Sequence, residues 1–280
     1  MLQTREVFFI CGKYFVFNSV KIASVYNSVG IMKKTTQNTS DQDRLYSQPR
    51  EAISAFVFDD SVVKVFEDMI GRSVPGYSTL LSMFPVLARA FVTRGSRCYD
   101  LGCSLGAATL AIQQGIDEEG VEIVAVDSSC AMIEKCRALT FGHKSKATVT
   151  VKQTDVCEIE ISNASLVVMN FTLQFIPEEL RTNLIEKIYS GLNQGGVFVL
   201  SEKIKSEDTV QQNRLTSLHH IFKKANGYSD LEISQKRTAL ENVLIAETVE
   251  QHMARLKLAG FSEVLVWFQC FNFVSFLAIK

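Results

Sequence analysis

The stretch Tyr99-Asp100-Leu101-Gly102-Cys103-Ser104-Leu105-Gly106 decides the fold of this chain. It includes the end of a short apolar run that predicts a buried strand, and it precedes Ala107-Ala108-Thr109-Leu110, which is typical of the beginning of a helix. Glycine at two positions of the turn permits a positive φ and lets a ligand approach the backbone. Amide groups at the beginning of the helix would point at that ligand. The stretch therefore predicts a ligand-binding turn between a strand and a helix.

The spacing of this turn, D-x-G-x-x-x-G, differs from the G-x-G-x-x-G spacing of dinucleotide-binding turns. Asp100 places an acidic group at the end of the predicted strand. A carboxylate in that position suits a ligand with an amino-acid cation better than one with a pyrophosphate. An ordinary turn that binds nothing is the alternative when this stretch is considered alone.

Composition and charge limit the class of protein. The chain has 280 residues, of which 47% are hydrophobic, and its formal net charge is −1 at pH 7. These values fit one large α/β domain or two small ones, and they do not indicate nucleic-acid binding. The cysteines show no C-x-x-C pair or metal-ligand spacing, so we expect no metal site and a cytoplasmic location. Apolar runs of about 18 residues are absent from the sequence, so we expect no membrane-spanning helix.

The order of predicted elements indicates a single domain over residues 41–280. Residues 1–40 hold apolar runs that lysines interrupt, which makes a poor signal peptide. We expect this part to be a disordered or mis-assigned N-terminal extension. Apolar residues at helical spacing then predict one helix over residues 61–70 and another over residues 80–91, which together form an N-terminal helical cap.

Strands and helices alternate after this cap, which predicts a mostly parallel sheet with helices on both faces. The predicted strands are Arg97–Asp100, Glu122–Val126, Thr148–Gln153, Leu166–Asn170, Val197–Leu200, Val264–Gln269 and Asn272–Ile279. The predicted helices among them are Ala107–Gly115, Ala131–Phe141, Glu178–Leu192 and Glu250–Leu258. A polar helical insertion at about residues 203–248 would overhang the carboxyl ends of the strands, where ligands bind in open α/β proteins.

Three polar side chains that follow predicted strands are candidates for ligand binding. Asp127 ends the second strand, where an acidic residue accepts hydrogen bonds from ribose hydroxyls; a helix N-cap is the alternative. Asp155 follows the third strand and is positioned to accept a hydrogen bond from an adenine amino group, or else to cap a turn. Asn170 ends the fourth strand, where its amide can bond the amino-acid part of a ligand.

Cysteine and histidine residues are further candidates for reactive groups. Cys103 lies inside the glycine turn, but no base or cation lies near it in sequence to activate the thiol. We therefore expect Cys103 to contribute its backbone to the turn. His219 and His220 lie on a predicted polar helix, where we expect surface residues rather than acid/base groups.

Six long segments of the chain are distinctive: Arg72–Tyr77, Tyr99–Thr109, Asn170–Phe175, Phe222–Tyr228, Glu232–Arg237 and Trp267–Phe273. Together they resemble the bacterial carboxy-S-adenosyl-L-methionine synthases, within the class I S-adenosylmethionine (SAM) methyltransferase superfamily. The similarity begins at about residue 41 and continues to the C-terminus. It implies a Rossmann-like class I SAM-dependent methyltransferase fold with a seven-stranded, mostly parallel sheet and an antiparallel C-terminal strand.

The resemblance also implies an activity. The family is described as converting SAM and prephenate to carboxy-SAM and phenylpyruvate, without a metal. A partner tRNA carboxymethyltransferase then uses carboxy-SAM to modify the wobble uridine to uridine-5-oxyacetic acid, so the chain itself need not bind nucleic acid. The family forms homodimers. A conventional SAM-dependent methyltransferase acting on tRNA or a small acid is the first alternative, and a SAM-binding module without catalysis is the second.

The resemblance assigns functional residues as well. The expected SAM contacts are Tyr77, Gly102, Cys103, Ser104, Asp127, Ser128, Asp155, Val156 and Asn170. The family usually has Asn where this chain has Ser128, and we expect the contact to persist through the backbone or the short side chain.

Arginine and lysine residues complete the expected site. The resemblance assigns Arg237 to the new carboxylate, which a guanidinium can bind with two hydrogen bonds. Arg237 and Tyr77 are the catalytic candidates. Arg72 and Lys203 are expected to bind prephenate, because a dianion needs cationic partners near the sulfonium.

Overall fold

The computed structural model describes residues 42–142 and 145–280, together with the backbone of two short strands nearer the N-terminus. These strands, Phe8–Ile10 and Lys13–Phe15, pair antiparallel within a unit that comprises Met1–Gln42. The other residues up to position 41 lie outside the described residues. The disordered or mis-assigned extension over residues 1–40 therefore stays a prediction.

A sheet of seven strands organises the second unit, Asp43–Lys280. The strands are β1 (Arg97–Leu101), β2 (Glu122–Asp127), β3 (Thr148–Gln153), β4 (Ala164–Asn170), β5 (Leu192–Lys203), β6 (Glu263–Cys270) and β7 (Phe273–Ile279). Their order across the sheet is β3-β2-β1-β4-β5-β7-β6. Neighbouring strands run parallel, except that β7 pairs antiparallel with both β5 and β6. The predicted seven-stranded, mostly parallel sheet with an antiparallel C-terminal strand is confirmed.

Helices precede the sheet, connect its strands and form the insertion. They are α1 (Asp60–Val63), α2 (Phe66–Ser73), α3 (Tyr77–Phe91), α4 (Ala107–Gly115), α5 (Cys130–Thr140), α6 (Glu178–Gly191), α7 (Thr209–Ala225), α8 (Asp230–Leu240) and α9 (Val249–Leu258). A 3₁₀ turn, Leu173–Phe175, follows β4. Among the described residues, no helix has the length and apolar character needed to cross a membrane.

The central strands are buried on both faces. Ile123–Val126 of β2 and Leu166–Met169 of β4 are wholly buried apolar runs, which is typical of parallel strands covered by helices on both sides. Leu184 of α6 packs on one face, while Phe84 of α3 and Ile112 of α4 pack on the other. Full burial of each such side chain contributes about 1.5–3 kcal/mol. This two-sided core holds the carboxyl ends of the strands in place.

The helix predicted over residues 61–70 is broken into α1 and α2. Asp59 caps α1 by accepting hydrogen bonds from two backbone N–H groups, and Val65 then leaves the helical conformation with a φ of −121°. The break allows Val62 and Met69 to enter the same buried cluster. Tertiary packing therefore overrides the continuous helical pattern of the sequence.

Strand β5 is longer than the predicted Val197–Leu200. Its pairing with β4 shifts register between Ala164 and Leu166, so the Gly195-Gly196 pair belongs to an irregular part of the strand. The other end of β5 carries Lys203 to the carboxyl edge of the sheet, where the insertion with α7 and α8 begins.

Candidate active site

A cavity of about 490 Å³ lies at the carboxyl ends of the parallel strands. Its volume is typical of small-molecule sites, and its position is where open α/β sheets bind ligands. Aromatic side chains before and within α2, such as Phe58 and Phe66, form an apolar flank. The lining residues that follow the strands, called the strand-end edge below, are Gly102, Ser104, Asp127, Ser128, Asp155, Val156 and Asn170.

The glycine turn between β1 and α4 is held by its own backbone. Gly102 has a φ of +84°, and a Cβ at this position would overlap the side chain of Thr172. The N–H groups of Gly102 and Cys103 donate to the carbonyl oxygen of Val126 at 2.8 and 2.9 Å. The position therefore requires glycine, and the turn presents its backbone to the cavity.

Asp127 ties this turn to β2 and also lines the cavity. Its Oδ2 accepts the N–H of Ser104 and its Oδ1 accepts the N–H of Ser129, both at 2.9 Å. Burial raises the pKa of Asp127, although these amide hydrogen bonds oppose the shift. Ser129, not Asp127, is the N-cap of α5. Since a carboxylate has about four acceptor sites, Asp127 can still accept hydrogen bonds from ligand hydroxyls.

Two buried oxygen atoms at the strand ends have no hydrogen-bond partner in the described part of the chain. They are Oδ1 of Asn170, which lines the cavity, and Oδ1 of Asp100. The hydroxyl of Thr109 donates to the other Asp100 oxygen at 2.6 Å, and burial raises the pKa of Asp100 to about 6. An unpaired buried acceptor costs about 1–3 kcal/mol, which a ligand donor can offset. The strand-end edge thus fits SAM, which carries an ammonium group and ribose hydroxyls.

Asp155 forms the turn after β3. Its Oδ1 accepts the N–H of Cys157 at 2.7 Å, as the turn-capping interpretation predicts. The same side chain lines the cavity next to Val156. Turn capping therefore keeps Asp155 at the cavity, and its contact with an adenine amino group stays a prediction.

Three lysines line another part of the cavity, and they are called the lysine wall below. Lys203 comes from the end of β5, Lys223 from α7 and Lys236 from α8. The ammonium group of Lys236 lies 3.6 Å from Oδ2 of Asp43 and 3.3 Å from the hydroxyl of Ser73. Among the described residues, neither Lys203 nor Lys223 has a carboxylate within ion-pair distance. This part of the cavity therefore carries uncompensated positive charge.

The pKa values of these lysines reflect the same arrangement. Burial, followed by the charges of Lys203, Lys236 and Arg237, lowers the pKa of Lys223 to about 7. Burial lowers the pKa of Lys236 to about 8, although Asp43 opposes this shift. Burial and the charge of Arg237 also lower the pKa of Lys203. The lysine wall is thus a group of mutually repelling cations that an anionic ligand would stabilise.

Known proteins share both the sequence and the fold. A family described as a methyltransferase domain matches residues 99–196. The carboxy-S-adenosyl-L-methionine synthase of Actinobacillus pleuropneumoniae serotype 5b is 51% identical over 240 residues, which cover 86% of this chain and 100% of that protein. The corresponding protein of Vibrio parahaemolyticus is 53% identical over 241 residues, which cover 86% of this chain and 98% of that protein. The chain belongs to the carboxy-S-adenosyl-L-methionine synthase family.

A solved structure supports the fold assignment alone. Human N-acetylserotonin methyltransferase in complex with SAM aligns with a TM-score of 0.52 at 16% sequence identity. The alignment covers 79% of this chain and 55% of that chain. The family member described here therefore has the predicted Rossmann-like class I SAM-dependent methyltransferase fold.

Most SAM contacts predicted for this family member lie together in the strand-end edge; the exceptions are Tyr77, Cys103 and Arg237. Cys103 is buried behind the turn, with its Sγ 4.0 Å from Sγ of Cys136. The contact with Cys136, together with burial, raises the pKa of Cys103, which disfavours a thiolate. Tyr77 begins α3 with its ring 6.3 Å from the ring of Phe171, which lines the cavity. Burial raises the pKa of Tyr77.

The two predicted arginines are not among the cavity-lining residues of the described chain. The Nη1 of Arg72 lies 2.9 Å from Oδ2 of Asp68, and its guanidinium lies 3.9 Å from the ring centre of Tyr228. Arg72 thus joins α2 to the insertion behind the lysine wall. Arg237 is exposed in the last turn of α8. Their contacts with prephenate and with the new carboxylate stay predictions.

The sequence reasoning missed Lys223 and Lys236, although both lie in segments that carry the family resemblance. It was also wrong about His219, which is buried and not on the surface. The Nε2 of His219 lies 2.8 Å from the carbonyl oxygen of Ser73, and its ring packs against Phe273. Burial lowers the pKa of His219 to about 3, so the ring is neutral near pH 7. No group of His, Cys, Asp or Glu suited to a metal ion occurs within residues 42–142 and 145–280.

Proposed function

We propose that this chain converts SAM and prephenate to carboxy-SAM and phenylpyruvate. The observation that carries the proposal is the composition of the cavity. Acceptors for a sulfonium amino acid lie on its strand-end edge, and lysines without an acid partner line the same cavity. Membership of the carboxy-SAM synthase family, at 51% identity to a relative that the match covers entirely, supports the same product.

The proposed reaction balances without a further reagent. Prephenate loses CO₂ and hydroxide as its ring becomes aromatic, and phenylpyruvate remains. The hydroxide takes a proton from the SAM methyl group and leaves as water. The methyl carbon then forms a bond with the carbon of CO₂. The adjacent sulfonium makes this methyl proton unusually acidic for a C–H group.

The protein's main contribution is confinement. Asp127 and Asn170 would hold the ribose and the amino-acid part of SAM, while the lysine wall would hold prephenate beside the methyl group. Phe58 packs edge-on against Phe175 at a ring distance of 5.3 Å, and both rings belong to the apolar lining of the cavity. Proximity of this kind can contribute several kcal/mol, and exclusion of water keeps CO₂ and hydroxide in the site.

Arg237 is the proposed partner of the new carboxylate. A charge-assisted pair of hydrogen bonds would favour carboxy-SAM over SAM by about 1.5–3 kcal/mol. Arg237 is exposed on α8, so the proposal includes a contact made either within the same subunit or across a homodimer. Tyr77, beside Phe171, is the second catalytic candidate.

The product would serve a tRNA carboxymethyltransferase in the cytoplasm, which would use it to form uridine-5-oxyacetic acid at the wobble position. The family resemblance supports this step. The near-zero net charge of −1 is consistent with a chain that does not itself bind tRNA.

Mass spectrometry of the nucleotide products tests the proposal. The purified chain should leave SAM unchanged when prephenate is absent and form SAM heavier by one CO₂ when it is present. Arg237→Ala should retain about tenfold less carboxy-SAM, or less still, after purification. Arg214→Ala, which changes an exposed arginine of α7, should retain as much as the wild type. A methylated acceptor with S-adenosylhomocysteine as the by-product would instead establish a conventional methyltransferase.

A further inference from the structure

We propose that Lys203 and Lys223 are the specificity-determining residues for a co-substrate with two carboxylate groups, each lysine binding one carboxylate. The assignment of the dianion to prephenate rests on the proposed function; the assignment of an anion to these lysines rests on the cavity itself.

Three lysines from different parts of the chain converge on the cavity. The three lysines come from separate elements, β5, α7 and α8, and all of them line the cavity that contains the strand-end edge. Lysine side chains lose much conformational entropy when they are buried and usually extend into solvent. Lys236 is buried and both Lys203 and Lys223 are half-buried, so three ammonium groups that line one cavity gain from a compensating interaction.

The charges of the three lysines are not all balanced by acids of the protein. Asp43 compensates Lys236 at 3.6 Å, whereas Lys203 and Lys223 have no carboxylate partner among the described residues. A lysine with only a structural role would be expected to pair with an acid of the protein. The two lysines without an acid partner match the two carboxylates of a dicarboxylate, whose charge would also favour their protonated forms.

Lys223 and its neighbour Lys224 have different surroundings. Lys224 follows Lys223 in the sequence, but its side chain is 52% exposed and lies 3.0 Å from Oδ2 of Asp230. Lys224 thus forms an ordinary surface ion pair, while Lys223 lines the cavity. Lys224 is therefore a matched control for Lys223, because both are lysines on the same helix.

The carboxylate of SAM's own methionine part is the competing ligand for the lysine wall. It carries a single charge, so it can neutralise only one of the two lysines, even where it bonds both. If it occupied the wall, a lysine substitution would weaken binding of S-adenosylhomocysteine, which retains that carboxylate. The two ligands can therefore be separated by measurement.

The test is calorimetric titration of prephenate into protein saturated with S-adenosylhomocysteine, which has no methyl group to react. Lys203→Gln and Lys223→Gln should each raise the Kd for prephenate by about tenfold or more. Lys224→Gln should leave it within about twofold of the wild type. The Kd for S-adenosylhomocysteine should stay unchanged in all three variants, which also shows that each variant is folded.

Several results would overturn the inference. The Kd for prephenate could stay unchanged in both wall variants, or Lys224→Gln could raise it as much as they do. The wild type could also fail to bind prephenate, or the wall variants could bind S-adenosylhomocysteine more weakly. Phenylpyruvate, with one carboxylate, should bind more weakly than prephenate. Equal affinity for the two would contradict a site for two carboxylates.

Turnover separates this inference from the proposed function. If the wild type binds prephenate through both lysines but forms no carboxy-SAM, the proposed function is wrong and the assignment of the lysines stands. If both wall variants form carboxy-SAM with a wild-type KM for prephenate, the proposed function stands and the assignment is wrong.

Discussion

The strand-end edge and the lysine wall enclose the same cavity by different physical means. The edge uses backbone conformation, as at Gly102, which packs against the side chain of Thr172. It also uses short side chains, such as that of Asp127, which accepts hydrogen bonds from two backbone N–H groups. The wall uses long side chains that repel one another. The edge is therefore organised before a ligand arrives, whereas the wall gains stability when an anion binds. We therefore propose that the edge recognises SAM and that the wall selects the second substrate.

The largest expected effect is on the edge, from Gly102→Ala. Gly102 and Gly95 both have positive φ, +84° and +69°, but only at Gly102 would a Cβ overlap a neighbour. Both substitutions incur about 1–2 kcal/mol of backbone strain, and Gly102→Ala adds about 1–3 kcal/mol of steric overlap. We expect Gly102→Ala to weaken binding of S-adenosylhomocysteine by about a hundredfold, and Gly95→Ala to leave it unchanged. Calorimetry measures the affinity of both variants for S-adenosylhomocysteine, and urea unfolding measures their stability. Equal losses of affinity in the two variants would contradict a steric role for Gly102.

A smaller effect is expected on the wall, as a pH dependence. The pKa of Lys223 is lowered to about 7, so this lysine loses its charge as the pH rises through that value. Prephenate affinity should fall by about tenfold between about pH 6 and about pH 9, while affinity for S-adenosylhomocysteine changes less. The fall should be smaller in Lys223→Gln, with the remainder due to Lys203 and Lys236. Calorimetry at these pH values measures it; the same slope in wild type and variant would exclude Lys223 as its source.

The smallest effect is expected where the edge and the wall meet, at Glu202. Its carboxyl group accepts the N–H groups of Leu173 and Gln174 at 2.8 and 3.0 Å, which holds the segment after Asn170. Burial raises the pKa of Glu202 from 4.5 to about 8. The stabilisation from its protonated form is therefore fully present below about pH 4.5 and is lost as the pH rises through about 8.

Glu202→Gln mimics the protonated form at every pH. Between about pH 7 and about pH 8, the free energy of unfolding of the wild type should fall relative to this variant by about 1 kcal/mol. Urea unfolding at both pH values measures the difference, with the exposed Glu207→Gln as the control. A difference that stays constant with pH would show that the pKa of Glu202 is not raised.

Sequence reasoning located the glycine turn and the polar strand ends because their signals are local, and the family resemblance added Ser104, Ser128 and Val156. A glycine turn after an apolar strand, and polar residues where later strands end, are each readable within a few positions. The parallel sheet then brings Ser104, Asp127 and Asn170 to one cavity. The break between α1 and α2 and the burial of His219 were not predicted, because each depends on packing against residues distant in sequence.

The amino-acid sequence by itself determined the alternation of strands and helices, the glycine turn and the polar strand ends, because these follow from short-range periodicity and backbone preference. Only the tertiary structure decided that Lys223 enters the cavity while Lys224 stays in solvent, and that Lys236 meets Asp43. The physical reason is that charge repulsion and burial depend on distances in space. Those distances are set when the insertion folds over the carboxyl ends of the sheet.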